Sequence, residues 1–342
     1  MTPTTGPTST KTDPATLDQV VAAIRQRDRF ICTSHVRPDG DAIGSAVAMA
    51  YALRALGKEA RVVFRDAAPG PLAVFPGVGD IEVTDRVADP GDAVLVMECG
   101  DLGRTGVAGL DQGFVINIDH HPGNTMYGHL NWFEISAAAC GEMVFDLVQA
   151  LGVPLTREIA THVYLAVLTD TGSFHYSSIS ARTFDISRQC LEAGVDPQWV
   201  ARSVFDSNTL GRLRLFGAVL NRMELDPSGR LALMSVDQAL VDACGATYED
   251  TEGLVNMPLT VKDIEAVAFF KEDAPGEWRV SLRSKGAVNV NVVAKGFGGG
   301  GHVNASGCGA RGALDLVDHQ GEELRLHRVE RAPCAAGGDA AR

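Results

Sequence analysis

One short segment, residues 34–41 with the sequence SHVRPDGD, concentrates side chains that could bind a metal ion. His35, Asp39 and Asp41 supply one imidazole and two carboxylates within seven residues, directly after a short apolar run. Such donors suit Mn²⁺, Mg²⁺ or Fe²⁺, whereas structural zinc sites commonly use thiolates, and this segment has none. Asp39 and Asp41 could equally cap a helix that begins near Ala42. The segment alone therefore leaves a metal site and a helix cap open.

Three further segments place acidic or histidine residues after apolar runs. Asp101 stands in the turn ECGD, Asp119 precedes two histidines, and Asp170 stands in TDTG. Asp101 or Asp170 alone is typical of a turn or a cap, whereas three consecutive titratable groups at residues 119–121 are harder to explain in that way. Four such segments indicate a shared metal centre instead, with the candidate residues His35, Asp39, Asp41, Asp101, Asp119, His120, His121 and Asp170.

The elements that must position these residues alternate between strand and helix. Apolar runs predict buried strands at residues 30–33, 60–64, 93–97 and 114–118, and helical periodicity covers residues 17–27, 42–56, 140–151 and 157–168. This alternation predicts an α/β fold with a mainly parallel sheet and helices on both faces. Ligands bind outside the carboxyl ends of parallel strands, so the candidate residues lie where a site is expected.

The length of 342 residues predicts two domains. Residues 180–223 are largely helical in pattern, and the turn DPSG at residues 226–229 marks a boundary near Leu225. Later strands predict a smaller α/β domain that ends in a glycine-rich run. We expect a disordered tail at residues 1–15, a first domain at 16–195, a helical linker at 196–225, a second domain at 226–328 and a disordered tail at 329–342.

Composition argues against several classes of partner. The formal net charge of -13 disfavours the basic surface that long DNA or RNA requires. The longest apolar stretches fall short of the roughly 20 residues that span a bilayer, and the start of the chain lacks the pattern of a secretory signal. The seven cysteines include no C-x-x-C pair. We therefore expect a cytoplasmic protein with reduced thiols and no membrane partner.

In order along the chain, the motifs resemble one known family. They are HVRPDGDAIGS from His35, ECGDLGR from Glu98, IDHHP from Ile118, TDTGSF from Thr169 and GGGGHVNASG from Gly298. This set is similar to the DHH phosphoesterase superfamily, in the NrnA-like branch of oligoribonucleases and pAp phosphatases, over about residues 16–320. The resemblance implies a catalytic DHH domain, a smaller DHH-associated domain, an active site in the cleft between them, and a homodimer.

The resemblance also implies metal and catalytic roles. It implies two manganese ions, replaceable by Mg²⁺ or Co²⁺, that activate a water as hydroxide for attack on phosphorus. Asp119 would orient a ligating imidazole, and His121 would contact the scissile phosphate or protonate the leaving oxygen. The implied ligands share Asp101 between the two ions: His35, Asp39 and Asp101 for one, and Asp41, Asp101, His120 and Asp170 for the other.

For the substrate, the resemblance points mainly to the second domain. There Arg283 would clamp a terminal phosphate through its forked donors, and the glycine run would let the backbone approach a nucleotide. Arg104 would support a phosphate unless it forms a surface ion pair. Implied substrates are short RNA oligonucleotides, pAp, and linear or cyclic dinucleotides, among which the sequence does not choose. The implied substrate-binding residues are Arg104, Arg283, Gly300, Gly301, His302, Asn304 and Ser306.

Other functions remain open at this point. Manganese inorganic pyrophosphatases share the metal motifs, but their second domain uses basic phosphate clamps in place of the run at residues 298–302. RecJ-like exonucleases act on longer DNA, for which this chain is short and acidic. A non-catalytic nucleotide sensor would be expected to lose a metal ligand, and here all six implied ligands are present. Manganese-dependent turnover of a dinucleotide distinguishes an enzyme from a sensor.

Overall fold

The computed structural model describes residues 14–176, 178–286, 288–301, 303–312 and 330–331. It divides the chain between Ser207 and Asn208 into two units. This division falls inside the expected linker at residues 196–225, whose two helices are α6 (Pro197–Phe205) in the first unit and α7 (Leu210–Asn221) in the second. The remaining domain bounds stay predictions.

A six-stranded sheet forms the framework of the first unit. All its strands pair in parallel, in the order β3-β2-β1-β4-β5-β6, as apolar runs separated by helical or long connections predict. The α/β fold with a parallel sheet is therefore confirmed. The strands are β1 (Arg29–Thr33), β2 (Glu59–Phe64), β3 (Glu82–Val83), β4 (Ala93–Met97), β5 (Phe114–Asp119) and β6 (Leu130–Phe133).

Helices of the first unit pack on one face of this sheet. Their apolar side chains join those of Phe30, Leu95 and Ile116 in a single buried core. On the other face, Ile31 and Val94 pack in a smaller core with residues of the long connections, and no α-helix in the described ranges contributes to it. Helices on both faces were expected. The helices are α1 (Leu17–Arg25), α2 (Gly40–Ala55), α3 (Cys140–Leu151), α4 (Arg157–Asp170), α5 (Ala181–Glu192) and α6.

Glycines keep the connections on that second face irregular. Between β4 and β5 the chain carries Gly103, Gly106, Gly109 and Gly113, and glycine in a helix interior costs about 1 kcal/mol relative to alanine. Gly106 and Gly109 have positive φ, so only short 3₁₀ turns form there, at Leu102–Thr105 and Leu110–Gln112.

Close packing between α2 and α4 sets the position of the site. A Cβ added to Gly44 would lie 2.5 Å from the carbonyl oxygen of His162, so only glycine permits this approach. A Cβ added to Gly40 would lie 2.7 Å from Cβ of Thr169, so the start of α2 lies beside the carboxyl end of α4. The longest α-helix has 16 residues, and within the described ranges no helix is long and apolar enough to cross a membrane.

The second unit contains a mixed sheet with cores on both faces. Its strand order is β11-β12-β10-β9-β8-β7, with β8 and β9 parallel, the other pairs antiparallel, and β13 paired to β12. The strands are β7 (Glu224–Leu225), β8 (Leu231–Val236), β9 (Ala266–Ala274), β10 (Glu277–Ser284), β11 (Gly300–Gly301), β12 (Ala305–Arg311) and β13 (Glu330–Arg331). The helices are α7, α8 (Gln238–Cys244) and α9 (Val290–Gly296).

Candidate metal centre

Acidic and histidine side chains meet where three neighbouring strands end. His35 follows β1, Glu98 follows β4 directly, and His120 follows β5 directly. Asp41 stands in the first turn of α2, and Asp170 is the last residue of α4. The carboxyl edge of a parallel sheet thus gathers groups that are far apart in sequence, as the strand order requires.

One group contains Asp41, Glu98, His120 and Asp170, whose donor atoms all lie within 4.8 Å of one another. Nε2 of His120 is 3.0 Å from Oε2 of Glu98, 3.5 Å from Oδ2 of Asp170 and 3.8 Å from Oδ2 of Asp41. Two ligands at about 2.1 Å from one cation, at right angles, would be about 3 Å apart. These spacings therefore fit donors around one divalent ion.

Two of these donor atoms have no hydrogen-bond partner among the described residues. Nδ1 of His120 lies 3.0 Å from the carbonyl oxygen of Ala137, which assigns the proton to Nδ1 and the lone pair to Nε2. That Nε2 and Oε2 of Glu98 are both buried and, although 3.0 Å apart, are not aligned for a hydrogen bond. A buried polar pair left unmatched in this way is costly unless a further group binds both atoms.

A second group contains His35, Asp39 and Glu98. Nδ1 of His35 lies 2.9 Å from the carbonyl oxygen of Val36, which leaves Nε2 free to face Asp39 at 3.8 Å. Asp39 is also the N-cap of α2, because its Oδ1 accepts a hydrogen bond from the backbone N–H of Ala42 at 3.0 Å. Its Oδ1 thus serves the cap while its Oδ2 faces His35, so the helix cap is seen and the role as a metal ligand stays a prediction.

Asp41 is held rigidly at the start of α3. Its carboxylate accepts hydrogen bonds from the backbone N–H groups of Cys140 at 2.6 Å and Gly141 at 2.9 Å, and from the hydroxyl of Ser45 at 2.8 Å. Burial raises the pKa of Asp41, whereas these hydrogen bonds and nearby His120 oppose the rise. The amide groups at the first turn of α3 therefore fix a buried carboxylate at the cluster.

The electrostatics of the cluster favour a bound cation. Burial raises the pKa of Glu98 to about 8 and that of Asp170 to about 7. Burial lowers the pKa of His120, but the carboxylates of Glu98 and Asp41 outweigh it and raise the pKa to about 10. Because a protonated Glu98 cannot raise the pKa of His120, the burial of Glu98, which favours its neutral form, sets the direction for this pair. The raised pKa values favour protonated carboxyl groups at Glu98 and Asp170, and binding of a divalent ion would release these protons.

His121 forms a separate pair with Asp119. Nδ1 of His121 donates to Oδ1 of Asp119 at 2.9 Å, and its Nε2 lies 3.3 Å from Oε1 of Glu98. Burial acts to raise the pKa of Asp119, but hydrogen bonds from His121 and Asn124 lower it overall. The side chain of His121 is 42% exposed, so an ionised carboxylate orients an imidazole that a substrate can reach.

Asp101 is the one expected ligand that lies apart. It is exposed and, among the described residues, belongs neither to these two donor groups nor to the third, which consists of Glu98, His120 and His121, whereas Glu98 belongs to all three. Its Oδ1 accepts from the backbone N–H of Gly103 at 2.9 Å, and its Oδ2 lies 3.3 Å from the hydroxyl of Thr125. Asp101 caps the 3₁₀ turn, and we replace it by Glu98 in the predicted ligand set.

Sequence reasoning missed Glu98 because a glycine turn drew attention to Asp101. Glu98 comes straight after the fully buried strand β4 and has a φ of 56°, a conformation uncommon outside glycine. An acidic residue between Met97 and Cys99, both buried, was the available signal. Burial of a carboxylate among apolar neighbours indicates a partner such as a metal ion.

The residues implied in substrate binding lie in both units. Arg104 is exposed on the 3₁₀ turn of the first unit. In the second, Arg283 on β10 is half-buried, which lowers its pKa, and Nδ2 of Asn304 lies 2.9 Å from the hydroxyl of Ser284. His302 lies outside the described residues. Gly300 and Gly301 form strand β11, and Ser306 is a buried residue of β12.

Comparisons with known proteins agree with this architecture. The DHH family, N-terminal domain, matches residues 29–167, and the DHHA1 domain matches residues 237–324. The bifunctional oligoribonuclease and PAP phosphatase NrnA of Thermus thermophilus is 36% identical over 310 residues, which cover 90% of this chain and 91% of that protein. Its namesake in Bacillus subtilis is 27% identical over 293 residues, which cover 84% and 91%.

A solved structure extends the likeness to three dimensions. An exopolyphosphatase-related protein from Bacteroides fragilis aligns with a TM-score of 0.79 and 31% identity, covering 85% of this chain and 89% of that one. The chain therefore belongs to the DHH family of phosphoesterases, with a DHHA1 domain in its C-terminal part and NrnA proteins among its relatives.

Proposed function

We propose that this chain is a divalent-cation-dependent hydrolase that degrades very short oligoribonucleotides to mononucleotides and removes the 3′-phosphate of pAp, adenosine 3′,5′-bisphosphate. One observation carries the proposal: buried Oε2 of Glu98 and Nε2 of His120 converge, unpaired, with carboxylates of Asp41 and Asp170. The names of the NrnA relatives supply the substrate class. Linear and cyclic dinucleotides present the same phosphate chemistry and belong to the proposal.

The donor set supports a site for two cations. Asp41, Glu98, His120 and Asp170 would hold one, and His35, Asp39 and Glu98 the other, with Glu98 common to both groups. Oxygen and imidazole donors without thiolate suit Mn²⁺, with Mg²⁺ or Co²⁺ as substitutes. Bound cations of this kind lower the pKa of a water and offset charge that builds up on phosphoryl oxygens.

Around that centre, His121 would handle a proton. Its hydrogen bond to Asp119 raises its pKa, with burial opposing, which shifts the balance towards the imidazolium. Asp119 accepts the Nδ1 proton, and therefore the Nε2 proton of the imidazolium points towards the cluster. A donor placed there can protonate the leaving oxygen or bind a phosphoryl oxygen, which typically contributes a factor of about 10² to 10⁴ in rate.

Substrate binding would involve both units. Within the described part of the chain, the guanidinium of Arg283 donates only to the carbonyl oxygen of Leu282, at 3.0 Å, and has no carboxylate partner. A half-buried guanidinium without a counter-ion suits a terminal phosphate. We include Arg104, Gly300, Gly301, His302, Asn304 and Ser306 with it as proposed nucleotide contacts.

Hydrolysis assays on the full chain test this proposal. Diadenylate, pAp, cyclic diadenylate, pyrophosphate and inorganic polyphosphate would be compared with Mn²⁺ and with EDTA. We expect Mn²⁺-dependent release of AMP from the nucleotides and little turnover of the two inorganic substrates. Cleavage of pyrophosphate alone would favour a pyrophosphatase, and cleavage of polyphosphate alone would favour the activity for which the Bacteroides fragilis protein is named. Nucleotide binding without turnover would favour a sensor.

Two further expectations belong to this proposal. Cys32, Cys99, Cys140, Cys190 and Cys244 are buried free thiols, which suits work in the reducing cytoplasm. The homodimer implied by the family resemblance stays a prediction, which sedimentation of the purified chain measures directly.

A further inference from the structure

Three arginines follow neighbouring strands of the first unit at the edge that carries the metal centre. Arg65 comes after β2, Arg37 follows β1, and Arg104 follows β4. These strands are adjacent in the order β2-β1-β4, and neighbouring strands lie about 4.8 Å apart. All three residues are exposed. Their loops therefore form one continuous stretch of surface beside the donor groups.

Direct contacts hold these loops together. The backbone N–H of Val36 donates to the carbonyl oxygen of Arg104 at 2.8 Å. Gly106 fits between the other two loops, because a Cβ at that position would lie 2.6 Å from Cγ1 of Val36 and 3.1 Å from Cγ of Arg65. The backbone N–H of Arg37, at a φ of 54°, donates to Oδ2 of Asp66 at 2.7 Å. The backbones that carry the three arginines are thus fixed relative to one another.

These arginines also differ from their neighbours in how their charge is partnered. Within the described ranges, no carboxylate forms an ion pair with Arg37, Arg65 or Arg104, whereas Arg29 and Arg61 on the same sheet are paired. Asp66 and Asp101 are acidic side chains in contact with these loops, and one oxygen of each accepts a hydrogen bond from a backbone amide, that of Arg37 and that of Gly103 respectively. Unpaired guanidinium groups with five donors each are suited to phosphate oxygens.

We propose that Arg37 and Arg65, beside Arg104, form a second phosphate subsite that takes the phosphate next to the scissile one. This inference rests on the proposed function, which places the scissile phosphate at the ends of β1, β4 and β5. The subsite lies on the β2 side of that centre, and His35 precedes Arg37 by two residues. Because the chain carries a net charge of -13, cations at this edge would offset repulsion of an anionic substrate.

Substrate pairs that differ in one phosphate test the subsite. In the first pair, pAp is compared with adenosine 3′-phosphate, and in the second, pApA is compared with ApA, so that the scissile bond stays the same. The variants are Arg37→Gln and Arg65→Gln. Arg157→Gln is the matched control, because Arg157 is exposed, has no ion pair in the described structure, and starts α4 about 20 Å from Asp170 at its other end.

We expect the wild type and the Arg157→Gln control to prefer the substrate with the additional phosphate. In each test variant the preference, as a ratio of kcat/KM values, should fall about tenfold through loss of charge-assisted hydrogen bonds. A fall in the first pair alone would identify a mononucleotide subsite, and a fall in both pairs would identify one that also serves oligonucleotides. An unchanged ratio, or equal losses on both members of each pair, would overturn the inference.

Binding measurements separate this inference from the proposed function. Calorimetric titration with pAp and with adenosine 3′-phosphate, in EDTA, reports on the subsite without any turnover. If no phosphoester is hydrolysed, the proposed function fails. The subsite still stands if pAp binds more tightly than adenosine 3′-phosphate and Arg65→Gln removes the difference, and it falls if the two ligands bind equally.

Discussion

Glu98→Gln tests which acidic residue joins the two donor groups. Glu98 belongs to every donor group found in the described structure, and Asp101 to none. Glutamine keeps the size of the side chain but removes the charge and one acceptor oxygen. The matched control is Asp101→Asn, which makes the same chemical change three residues later in an exposed turn. The two variants therefore separate the structural assignment from the one implied by sequence.

The size of the effect follows from linkage between metal binding and folding. A ligand at a hundred times its dissociation constant stabilises the folded state by about 2.7 kcal/mol. In a unit of about 200 residues, 1 kcal/mol shifts Tm by roughly 2–4 °C, so Mn²⁺ should raise Tm by about 5–11 °C. Loss of a donor to both ions should remove most of this shift and lower kcat at least about 100-fold.

Without metal, Glu98→Gln should not lower the stability of the folded protein. Burial raises the pKa of Glu98, so the folded state without metal disfavours its charge as pH rises towards 8. The neutral amide of the variant avoids this penalty, and Glu98→Gln should therefore be at least as stable as the wild type in EDTA at pH 8. This outcome would show that the lost Mn²⁺ response does not reflect a misfolded chain.

Thermal unfolding in Mn²⁺ and in EDTA, together with pAp hydrolysis, measures all three effects. We expect Asp101→Asn to keep the Mn²⁺-induced shift in Tm and to keep activity within a few-fold. If Asp101→Asn lost both while Glu98→Gln kept both, Asp101 would be the shared ligand and the reasoning from burial would be refuted.

Three further predictions concern the proton donor, a buried histidine and the packing of α2. His121→Asn should lower kcat about 100-fold or more while the Mn²⁺-induced shift in Tm remains; loss of that shift would make His121 a ligand. Burial lowers the pKa of His162 from 6.5 to about 4. As pH falls, the unfolded chain therefore binds a proton at His162 before the folded chain does. About 3 kcal/mol of unfolding free energy is lost in this way as pH falls from 6.5 to 4. Urea unfolding across that range should show a shallower loss in His162→Gln, and equal slopes would contradict the assignment. Gly44→Ala should cost about 1–3 kcal/mol in unfolding free energy, because its methyl group would meet α4. The control Gly217→Ala, with open space around it, should stabilise α7 by about 0.5–1 kcal/mol. Equal effects of the two substitutions would count against tight packing of α2.

The framework of the first unit was predictable where a pattern is long and clearly bounded. The strand predicted at residues 93–97 and the helix predicted at residues 140–151 have the bounds seen in β4 and α3. An uninterrupted apolar run of strand length defines β4, and Gly152, with a φ of 75°, ends α3. The short edge strand β6 (Leu130–Phe133) was not predicted, because four residues of mixed polarity show no period.

Of the site residues, too, only those in clear local patterns were predictable from the sequence. Local sequence identified His35, Asp39, Asp41 and His120 as candidates, because each stands in a dense polar motif after an apolar run. It assigned Asp101 and missed Glu98, since both are acidic residues near one turn and the difference in their burial is not visible in the sequence. Burial depends on how the loop after β4 packs against β5 and α2, which is not encoded in the spacing of the motif.

From the sequence by itself, the ordered motifs indicated the family by resemblance. The alternating α/β framework, and the carboxyl edge at which polar residues collect, followed from hydrophobic periods of a few residues. Only the tertiary structure decided which carboxylates are buried together. Asp41 and Asp170 are 129 positions apart, and the glycine contact of α2 with α4 brings their helix ends to one cluster. The desolvation that this packing imposes on Glu98 turns an ordinary acidic residue into the shared member of the proposed metal centre.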